Sequence, residues 1–379
     1  MRSLLLRFLR LVTRLTRKIS RSISVSVFSR FNLTELFDQI LPDYLARHDY
    51  QILWDIEVLN LPDSKTKRTI KYENPYLKRK LNSADLRVSY PNPFSADIAI
   101  VIQGPIVFEN QTTLRIVNFY QEKYPDALVV ISTWANTPPK LLQPFLQLSD
   151  NNFKLILNED PNNPGIFNVN RQIVSTLNGL EAVADKTYVI KTRTDQVLSD
   201  PRLLCNLELL HESFSVKTEN ERKIIVSSLN TFAFRLYGAS DMFQFGLTRD
   251  LINFWKQPLD LRPTENLKDI SENLHLEAQK RVAEVYLNTN YFNVIFGQEP
   301  VYTFAESLNF IANQFVVADA GSLGHRWLKN TNLIDRWKES KFPNKFYELS
   351  HLDWLSLNSK KDAWLKYENT IFSNEFYND

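Results

Sequence analysis

The sequence predicts an α/β fold in which a mostly parallel sheet is flanked by helices. From Asp97 onward, short apolar runs alternate with segments of helical period, which is the pattern of strands connected through helices. Each of the first apolar runs ends in polar or turn-forming residues. The chain has 379 residues, of which 44% are hydrophobic and 23% charged, so it is long enough to bury a large core and has the composition of a folded protein.

The first four predicted strands share one plan, an apolar run followed by a polar or turn-forming end. They are IAIVIQGPIV at 98–107, ALVVISTW at 127–134, FKLILNED at 153–160 and TYVIKTRTD at 187–195. Two later runs, KIIVSSLN at 223–230 and DMFQFGL at 241–247, predict strands in the far half of the sheet. A helix begins near Thr248, and beyond residue 260 the pattern is mainly helical.

Two helices are predicted between these strands. The first runs from Thr112 to about Tyr124, with Thr112 and Thr113 as capping residues and an inner face of Leu114, Val117 and Tyr120. The second runs from about residue 168 to 184, with its apolar face at Val169, Ile173, Leu177 and Leu180. The opposite side of that helix forms a polar stripe made of Asn168, Arg171, Ser175 and Asn178.

Residues 1–30 predict a basic amphipathic helix. Arginines recur every three or four positions, and apolar residues fill the other side: Arg7, Arg10, Arg14, Arg17 and Arg21 against Leu4, Leu5, Phe8, Leu11, Val12, Leu15 and Ile19. Such a helix lies on an anionic membrane surface, and it is too interrupted by charge to span a bilayer. A helix packed on its own protein and a targeting peptide are the alternatives. Residues 31–94 predict a connecting and packing segment.

Composition and motifs exclude several classes of protein. The single cysteine, Cys205, rules out an internal disulfide and multi-cysteine metal centres, which favours a reducing, cytoplasmic compartment. A net charge of +2 does not indicate a protein that binds nucleic acid. The chain contains no GxxxxGK[ST], HExxH, GxSxG or GxGxxG string, and with only 8 glycines it must bind any phosphate mainly through side chains.

The carboxyl ends of the first four strands predict a ligand site, because ligands of open α/β sheets bind beyond those ends. The residues at these ends are Gln103, Gly104 and Pro105; Ser132, Thr133 and Trp134; Asn158, Glu159 and Asp160; and Lys191, Arg193 and Asp195. Arg193 can pair with a phosphate oxygen, and Asp195 can bind a metal ion or a sugar hydroxyl. The alternative is that charged strand ends are simply solvated. Arg171 could reach the same crevice, and His325 is a weaker metal candidate, since a lone histidine is more often structural.

Five strings resemble the WavE family of lipopolysaccharide-synthesis proteins. They are IVIQGPIV, the YP followed by ISTW, NVNRQIVSTLNGL at 168–180, KTRTD at 191–195 and SDMFQFGLTRDLINFW at 240–255. The resemblance covers 95–255 well and the region to about 330 loosely. It implies a GT-A-like nucleotide-diphosphosugar transferase fold over 95–330, followed by a helical extension at 331–379. It also implies a nucleotide-activated sugar donor and a glycan or lipid-linked acceptor.

The resemblance assigns expected roles to individual residues. The donor would contact Gln103, Gly104, Pro105, Ser132, Thr133, Trp134, Asn158, Arg171, Arg193 and Asp195. Arg193 and Asp195 stand where such transferases place an acidic motif for a divalent cation, here Mg²⁺ or Mn²⁺. Because the string is Arg-Thr-Asp, Arg193 could itself neutralise the leaving diphosphate.

A carboxylate base completes the expected mechanism, and Asp241 is the first candidate and Glu299 the second. Glu299 lies in GQEPVYTF, where the family tends to carry Pro-Glu-Gln-Tyr in a different order. The expected location is peripheral, on the inner face of the cytoplasmic membrane. A non-catalytic scaffold of polysaccharide assembly and a nucleotidyltransferase are the alternative functions.

Overall fold

The computed structural model describes residues 93–94, 97–148, 152–214, 223–263, 281–328, 347–359 and 362–365. The predicted helix of residues 1–30 and the connecting segment 31–94 therefore lie outside the described residues, apart from 93–94. Within the described residues, no helix is long and apolar enough to cross a membrane.

The first half of the fold alternates strands and helices as the sequence predicts. Its elements are β1 (Ile98–Gln103), α1 (Thr112–Lys123), β2 (Leu128–Trp134), α2 (Pro139–Leu146), β3 (Phe153–Asn158), α3 (Val169–Glu181), β4 (Tyr188–Arg193), β5 (Gln196–Leu198) and α4 (Leu203–Phe214). All six residues of β1 and all seven of β2 are buried, as expected for strands covered on both faces.

The second half is more helical and contains two strands that periodicity did not predict. Its elements are β6 (Ile224–Ser227), β7 (Gln244–Leu247), α5 (Thr248–Trp255), α6 (Ala283–Phe296), α7 (Phe304–Gln314), β8 (Phe315–Ala318), α8 (Ala320–Leu323), β9 (His325–Trp327), α9 (His351–Ser359) and α10 (Asp362–Leu365). The unpredicted strands are β8 and β9. Each has only three or four residues and follows a helical pattern without a break.

The central sheet has seven strands in the order β3-β2-β1-β4-β7-β6-β8. Strand β7 is antiparallel to both its neighbours, and the other pairings in this sheet are parallel. The predicted mostly parallel α/β sheet is thus confirmed. Strands β5 and β9 form a separate antiparallel ribbon directly after β4.

Helices cover both faces of this sheet, as side-chain alternation along β4 demonstrates. Lys191 contacts Trp255 of α5 on one face, whereas Tyr188 contacts His211 of α4 on the other. Helix α3 lies on β1 and β2 at the point where Gly179 has no side chain. A Cβ on Gly179 would lie 2.6 Å from Val101 Cγ1, so glycine permits this close approach.

One local prediction for the helices was wrong. Thr112 and Thr113 do not cap α1, whose N-cap is Gln111 in a left-handed conformation; Thr113 instead bridges two strand ends. Ser175, which belongs to the predicted polar stripe of α3, is completely buried. Its hydroxyl donates to Gln103 at the end of β1, so this part of the polar stripe is covered by the sheet.

Candidate functional site

The carboxyl ends of β1 and β4 are held together by the segment that follows each strand. Gln103 is in register with Arg193. The Thr194 amide donates to the Gln103 carbonyl (3.1 Å), and the Thr194 hydroxyl donates to the Pro105 carbonyl (2.7 Å). The Thr113 hydroxyl in turn donates to the Thr194 carbonyl (3.0 Å). The two strand ends predicted to bind a ligand therefore form one rigid edge.

Gly104 is required at this edge by its backbone and by its surroundings. Its φ of +121° is a conformation that residues with a side chain rarely adopt. A Cβ at this position would lie 3.2 Å from Thr194 Oγ1. Gly104 is buried while Pro105 after it is exposed, so the turn presents Pro105 and not Gly104 to solvent.

The ends of β2 and β3 form a second group, in which the predicted residues bind one another. Asn158 Nδ2 lies 2.9 Å from Ser132 Oγ and 2.7 Å from the Thr133 carbonyl. Asn158 Oδ1 accepts a hydrogen bond from Asn178 Nδ2 of α3 (2.8 Å). These contacts explain the polar stripe of α3. The side chains of Ser132 and Asn158 connect β2, β3 and α3 through these hydrogen bonds.

The remaining donor candidates at these ends differ in accessibility. Trp134 is 7% exposed, and Thr133 Oγ1 is buried with no hydrogen-bond partner in the described part of the chain. Gln103 accepts a hydrogen bond from Ser175 Oγ (2.9 Å) across the β1–α3 interface. Thr133 is therefore the residue in this group that keeps an unused polar atom.

Arg171 is engaged by a carboxylate of the third strand end. Its Nε and Nη2 donate to the two oxygens of Asp160 at 2.7 and 2.8 Å, a bidentate pair. The Arg171 side chain is 40% exposed. The Arg171 hydrogen bonds lower the pKa of Asp160, and Asp160 raises the pKa of Arg171. This pair sits at the rim of the crevice, where a ligand would have to compete with Asp160 for the guanidinium.

Arg193 and Asp195 form a charged pair at the end of β4. Arg193 Nε donates to Asp195 Oδ1 (3.2 Å), and Trp327 Nε1 of β9 donates to Asp195 Oδ2 (2.9 Å). Asp195 is 5% exposed. Among the described residues, the terminal nitrogens of Arg193 form no hydrogen bond, and its side chain is 28% exposed. Arg193 is thus positioned by Asp195 with its outer edge free for an anion.

The fit of this site to a divalent cation is poor. Both oxygens of Asp195 already accept hydrogen bonds from Arg193 and Trp327. A search of the described ranges finds no group of three or more His, Cys, Asp or Glu side chains that could hold a metal ion. A cation bound by Asp195 would share both oxygens with these donors and would lie next to the positive Arg193 guanidinium.

His325 is buried and bound through both ring nitrogens. Nδ1 lies 2.9 Å from Ser227 Oγ, and Nε2 lies 3.3 Å from Gln196 Oε1. Since Ser227 Oγ also accepts from the Leu229 amide, the consistent tautomer carries its proton on Nε2 and accepts from Ser227. Burial lowers the pKa of His325 to about 3, so the ring is neutral. This histidine fixes β9, and with it Trp327, against β6.

Lys191 is a buried cation beneath the charged strand end. Its side chain is 0% exposed, its Nζ donates to the backbone carbonyl of Asp241, and it lies 4.7 Å from the ring centroid of Trp255. Burial lowers the pKa of Lys191 to about 8, partly opposed by the nearby Asp241 and Asp195 carboxylates. One buried ammonium therefore interacts with both candidate carboxylates, which places them in the same cluster.

Asp241 lies just before β7, next to Lys191. The β4–β7 pairing ends at Lys191 and Gln244, and the Asp241 carbonyl, three residues before Gln244, accepts from Lys191 Nζ. Asp241 is 4% exposed, and its Oδ2 is buried without a hydrogen-bond partner among the described residues. Burying a carboxylate oxygen without a hydrogen-bond donor costs free energy, and an oxygen in this state can accept a proton.

Glu299 lies elsewhere, in the loop between α6 and α7. It is exposed, and its hydrogen bond in the described part of the chain is from Asn293 Nδ2 (2.8 Å). The structure thus gathers Gln103, Gly104, Arg193, Asp195 and Asp241 at one edge and leaves Glu299 outside that group.

Sequence reasoning missed Trp327 at this edge and did not predict the burial of Lys191. Trp327 came from an unpredicted strand, and its only signal was the GHRW string in which His325 had drawn attention. Lys191 is a predicted strand-end residue. Its complete burial results from contact with Trp255 and β7, whose positions relative to β4 the hydrophobic periodicity of the sequence does not predict.

A mostly parallel, helix-flanked sheet with a charged cluster at its carboxyl edge defines an α/β protein with a ligand site at that edge. The model of the family described as WavE lipopolysaccharide synthesis matches residues 98–379. The chain therefore belongs to the WavE lipopolysaccharide synthesis family, and a role in lipopolysaccharide synthesis follows from that membership. No curated protein matches the chain.

Proposed function

We propose that this chain is a glycosyltransferase that moves a sugar from a nucleotide-activated donor to a growing lipopolysaccharide-type glycan. The observation that carries the proposal is the cluster at the carboxyl edge. There the unbound edge of Arg193 and the unpartnered oxygen of Asp241 lie around one buried cation, Lys191. A GT-A-like fold is part of the proposal, and the mostly parallel sheet with one antiparallel strand is compatible with it.

In this proposal Arg193 binds the donor diphosphate. Its position is fixed by Asp195, which is itself held by Trp327, so little ordering is required when the anion binds. As the bond between the sugar C1 and the phosphate oxygen breaks, its electron pair passes to the diphosphate, and Arg193 stabilises that charge. No step in this proposal depends on a divalent cation, because the Arg193 guanidinium supplies the positive charge that stabilises the leaving diphosphate.

The acceptor hydroxyl attacks C1 and forms the new glycosidic bond, and its proton passes to Asp241. The Asp241 carboxylate fits this role because its Oδ2 is buried and has no donor among the described residues. Lys191 holds the backbone of Asp241 in place through its carbonyl. The proposed donor base and ribose lie over the Gly104–Pro105 turn and near Thr133.

The proposed location is the inner face of the cytoplasmic membrane, where a lipid-linked acceptor is accessible. The basic amphipathic pattern of residues 1–30 supports this location. It lies outside the described residues and remains a sequence prediction.

The test is release of nucleoside diphosphate from a panel of nucleotide sugars, measured with a lipopolysaccharide core oligosaccharide as acceptor. The wild-type chain should turn over one donor, and Asp241→Asn should lose at least 100-fold of the rate, in line with general-base catalysis. Asp185→Asn, which makes the same change at an exposed carboxylate in the loop before β4, is the matched control and should retain most activity. Equal rates for Asp241→Asn and the wild type would remove Asp241 from the base role.

A non-catalytic scaffold is the second candidate, and one observation favours it. Ser132 and Asn158, both predicted donor contacts, are bound to each other instead of facing a cavity. A scaffold would bind no nucleotide at all, so turnover or binding of any nucleotide sugar excludes it.

A further inference from the structure

An exposed apolar surface, named here the α6 tip, surrounds the end of α6 and the loop after it. It consists of Val294, Ile295, Phe296, Val301 and Tyr302, which are between 37% and 61% exposed. These are five of the fourteen large apolar side chains that are exposed in the described residues, and they fall within nine positions. Single exposed apolar residues are ordinary, but a local group of this kind marks a contact surface.

The loop that carries this surface is held firmly by its polar groups. Glu306 Oε2 accepts from the Val301 amide (2.5 Å), and the Val301 carbonyl lies 2.8 Å from the Tyr237 hydroxyl. Asn293 binds Glu299 (2.8 Å) and closes the loop onto the end of α6. The apolar side chains of the α6 tip thus project from an ordered loop whose polar atoms are bonded inward.

The α6 tip is linked to the candidate site through Tyr237. The Tyr237 ring packs against Phe292 and Tyr302, with centroids 5.9 Å from each. Tyr237 precedes the candidate base Asp241 by four residues, a chain length that spans at most about 14 Å. A partner bound at the α6 tip would therefore lie close to the position where the acceptor hydroxyl must arrive.

The chemistry of the α6 tip identifies its partner. Between Asn290 and Thr303 the only charged side chain is Glu299, and the described side chains that line the cavity beside Phe296 add only the acidic Glu306. The described part of this surface therefore presents no cation to a phosphate, a nucleotide or a nucleic acid. Aliphatic side chains beside a phenyl and a phenol ring are the composition of segments that insert into the interfacial zone of a bilayer. The family role in lipopolysaccharide synthesis also requires glycans that are attached to lipid.

We infer that the α6 tip inserts into the interface of a lipid bilayer and presents the edge containing Asp241 to a membrane-bound acceptor. The purpose of this contact depends on the proposed function, but the contact itself does not. Because the surface lacks cations, its insertion should not require anionic lipid. This distinguishes it from the binding expected of residues 1–30.

The test uses a fluorescent probe at the α6 tip of the full chain. Gln298→Cys in a Cys205→Ser background places the single thiol on the exposed loop for labelling with a polarity-sensitive dye, and Glu181→Cys at the exposed end of α3 is the matched control. With vesicles of phosphatidylcholine alone, dye at 298 should shift to shorter wavelength and be quenched by brominated acyl chains. Dye at 181 should do neither.

Substitution of the apolar side chains should weaken this signal. Adding Phe296→Ser and Val301→Ser should reduce partitioning onto these vesicles about three- to ten-fold for each side chain, because each is about half exposed before insertion. Dye at 298 that stays in water with vesicles present, or that is already shielded without them because another part of the chain or a second copy covers it, would overturn the inference. Nucleotide binding measured on the same protein tests the proposed function separately.

Discussion

Replacing Lys191 with methionine tests the burial of the cation that supports the candidate site. The folded state lowers the pKa of Lys191 from 10.5 to about 8, mainly because the ammonium is removed from water. The unfolded chain therefore binds this proton more tightly than the folded chain does. As the pH rises from about 8 toward 10.5, the folded state stops carrying the cost of a buried charge, and the wild type becomes more stable.

The magnitude follows from the two pKa values. Integrating proton binding for a pKa of about 8 in the folded chain and 10.5 in the unfolded chain gives a gain of about 1.4 kcal/mol between pH 7 and pH 9. Lys191→Met keeps the length of the side chain and removes the titrating group, so the variant should lack this gain. It should also lose the hydrogen bond to the Asp241 carbonyl, which costs about 1–3 kcal/mol at any pH.

The assay is equilibrium urea unfolding followed by circular dichroism at pH 7 and pH 9. The difference in unfolding free energy between wild type and Lys191→Met should grow by about 1.4 kcal/mol over that range. Lys256→Met, which removes an exposed ammonium at the end of α5, should track the wild type. If Lys191→Met and the wild type change in parallel, Lys191 is not a buried cation and the reasoning is refuted.

Three further predictions concern the strand ends. Gly104→Ala should destabilise the fold by about 1–3 kcal/mol, because the backbone φ at position 104 is positive. Gly321 has open space around it, so the control Gly321→Ala should cost less than about 1 kcal/mol. Urea unfolding measures both free energies. Ser175→Ala should cost about 1–3 kcal/mol by leaving buried Gln103 without its donor, and a cost near zero would contradict that bond. His325 should show no imidazole titration by NMR between pH 5 and pH 8. Because its folded pKa of about 3 lies below 6.5, stability should be lost as the pH falls below 6.5.

Strands β1 and β2 could be predicted because they are buried on both faces. A parallel strand of this type is a continuous apolar run, as in Ile98–Gln103 and Leu128–Trp134, and the run itself marks the element. Their carboxyl ends then fall on one edge through topology alone. The location of the candidate site follows from that rule without any contact being known.

The parts that could not be predicted depend on contacts between distant segments. Ser175 belongs to the predicted polar stripe of its helix, and only its partner Gln103, 72 positions away, explains its burial. Trp327 contributes to the site through the β5–β9 ribbon, which joins segments about 130 residues apart. Such pairings do not affect the hydrophobic periodicity of either segment, so the sequence pattern does not predict them.

Whether an arginine is free to bind a phosphate also depends on contacts between distant segments. Arg171 and Arg193 are both arginines near strand ends, and nothing in their local sequence separates them. The structure pairs Arg171 with both oxygens of Asp160, whereas Arg193 is held by one nitrogen and keeps its outer edge free. Their different capacity to bind a phosphate is a consequence of where the nearest carboxylate lies.

The central proposal is that Arg193 binds the diphosphate of a nucleotide donor without a divalent cation. The most direct measurement is calorimetric titration of a panel of nucleoside diphosphates and CMP, with and without Mn²⁺, into the wild type, Arg193→Met and the control Arg249→Met. The account predicts that one nucleotide binds the wild type and Arg249→Met equally in both conditions and that Arg193→Met binds at least ten-fold more weakly. Binding that requires Mn²⁺, or that is unchanged in Arg193→Met, would contradict it.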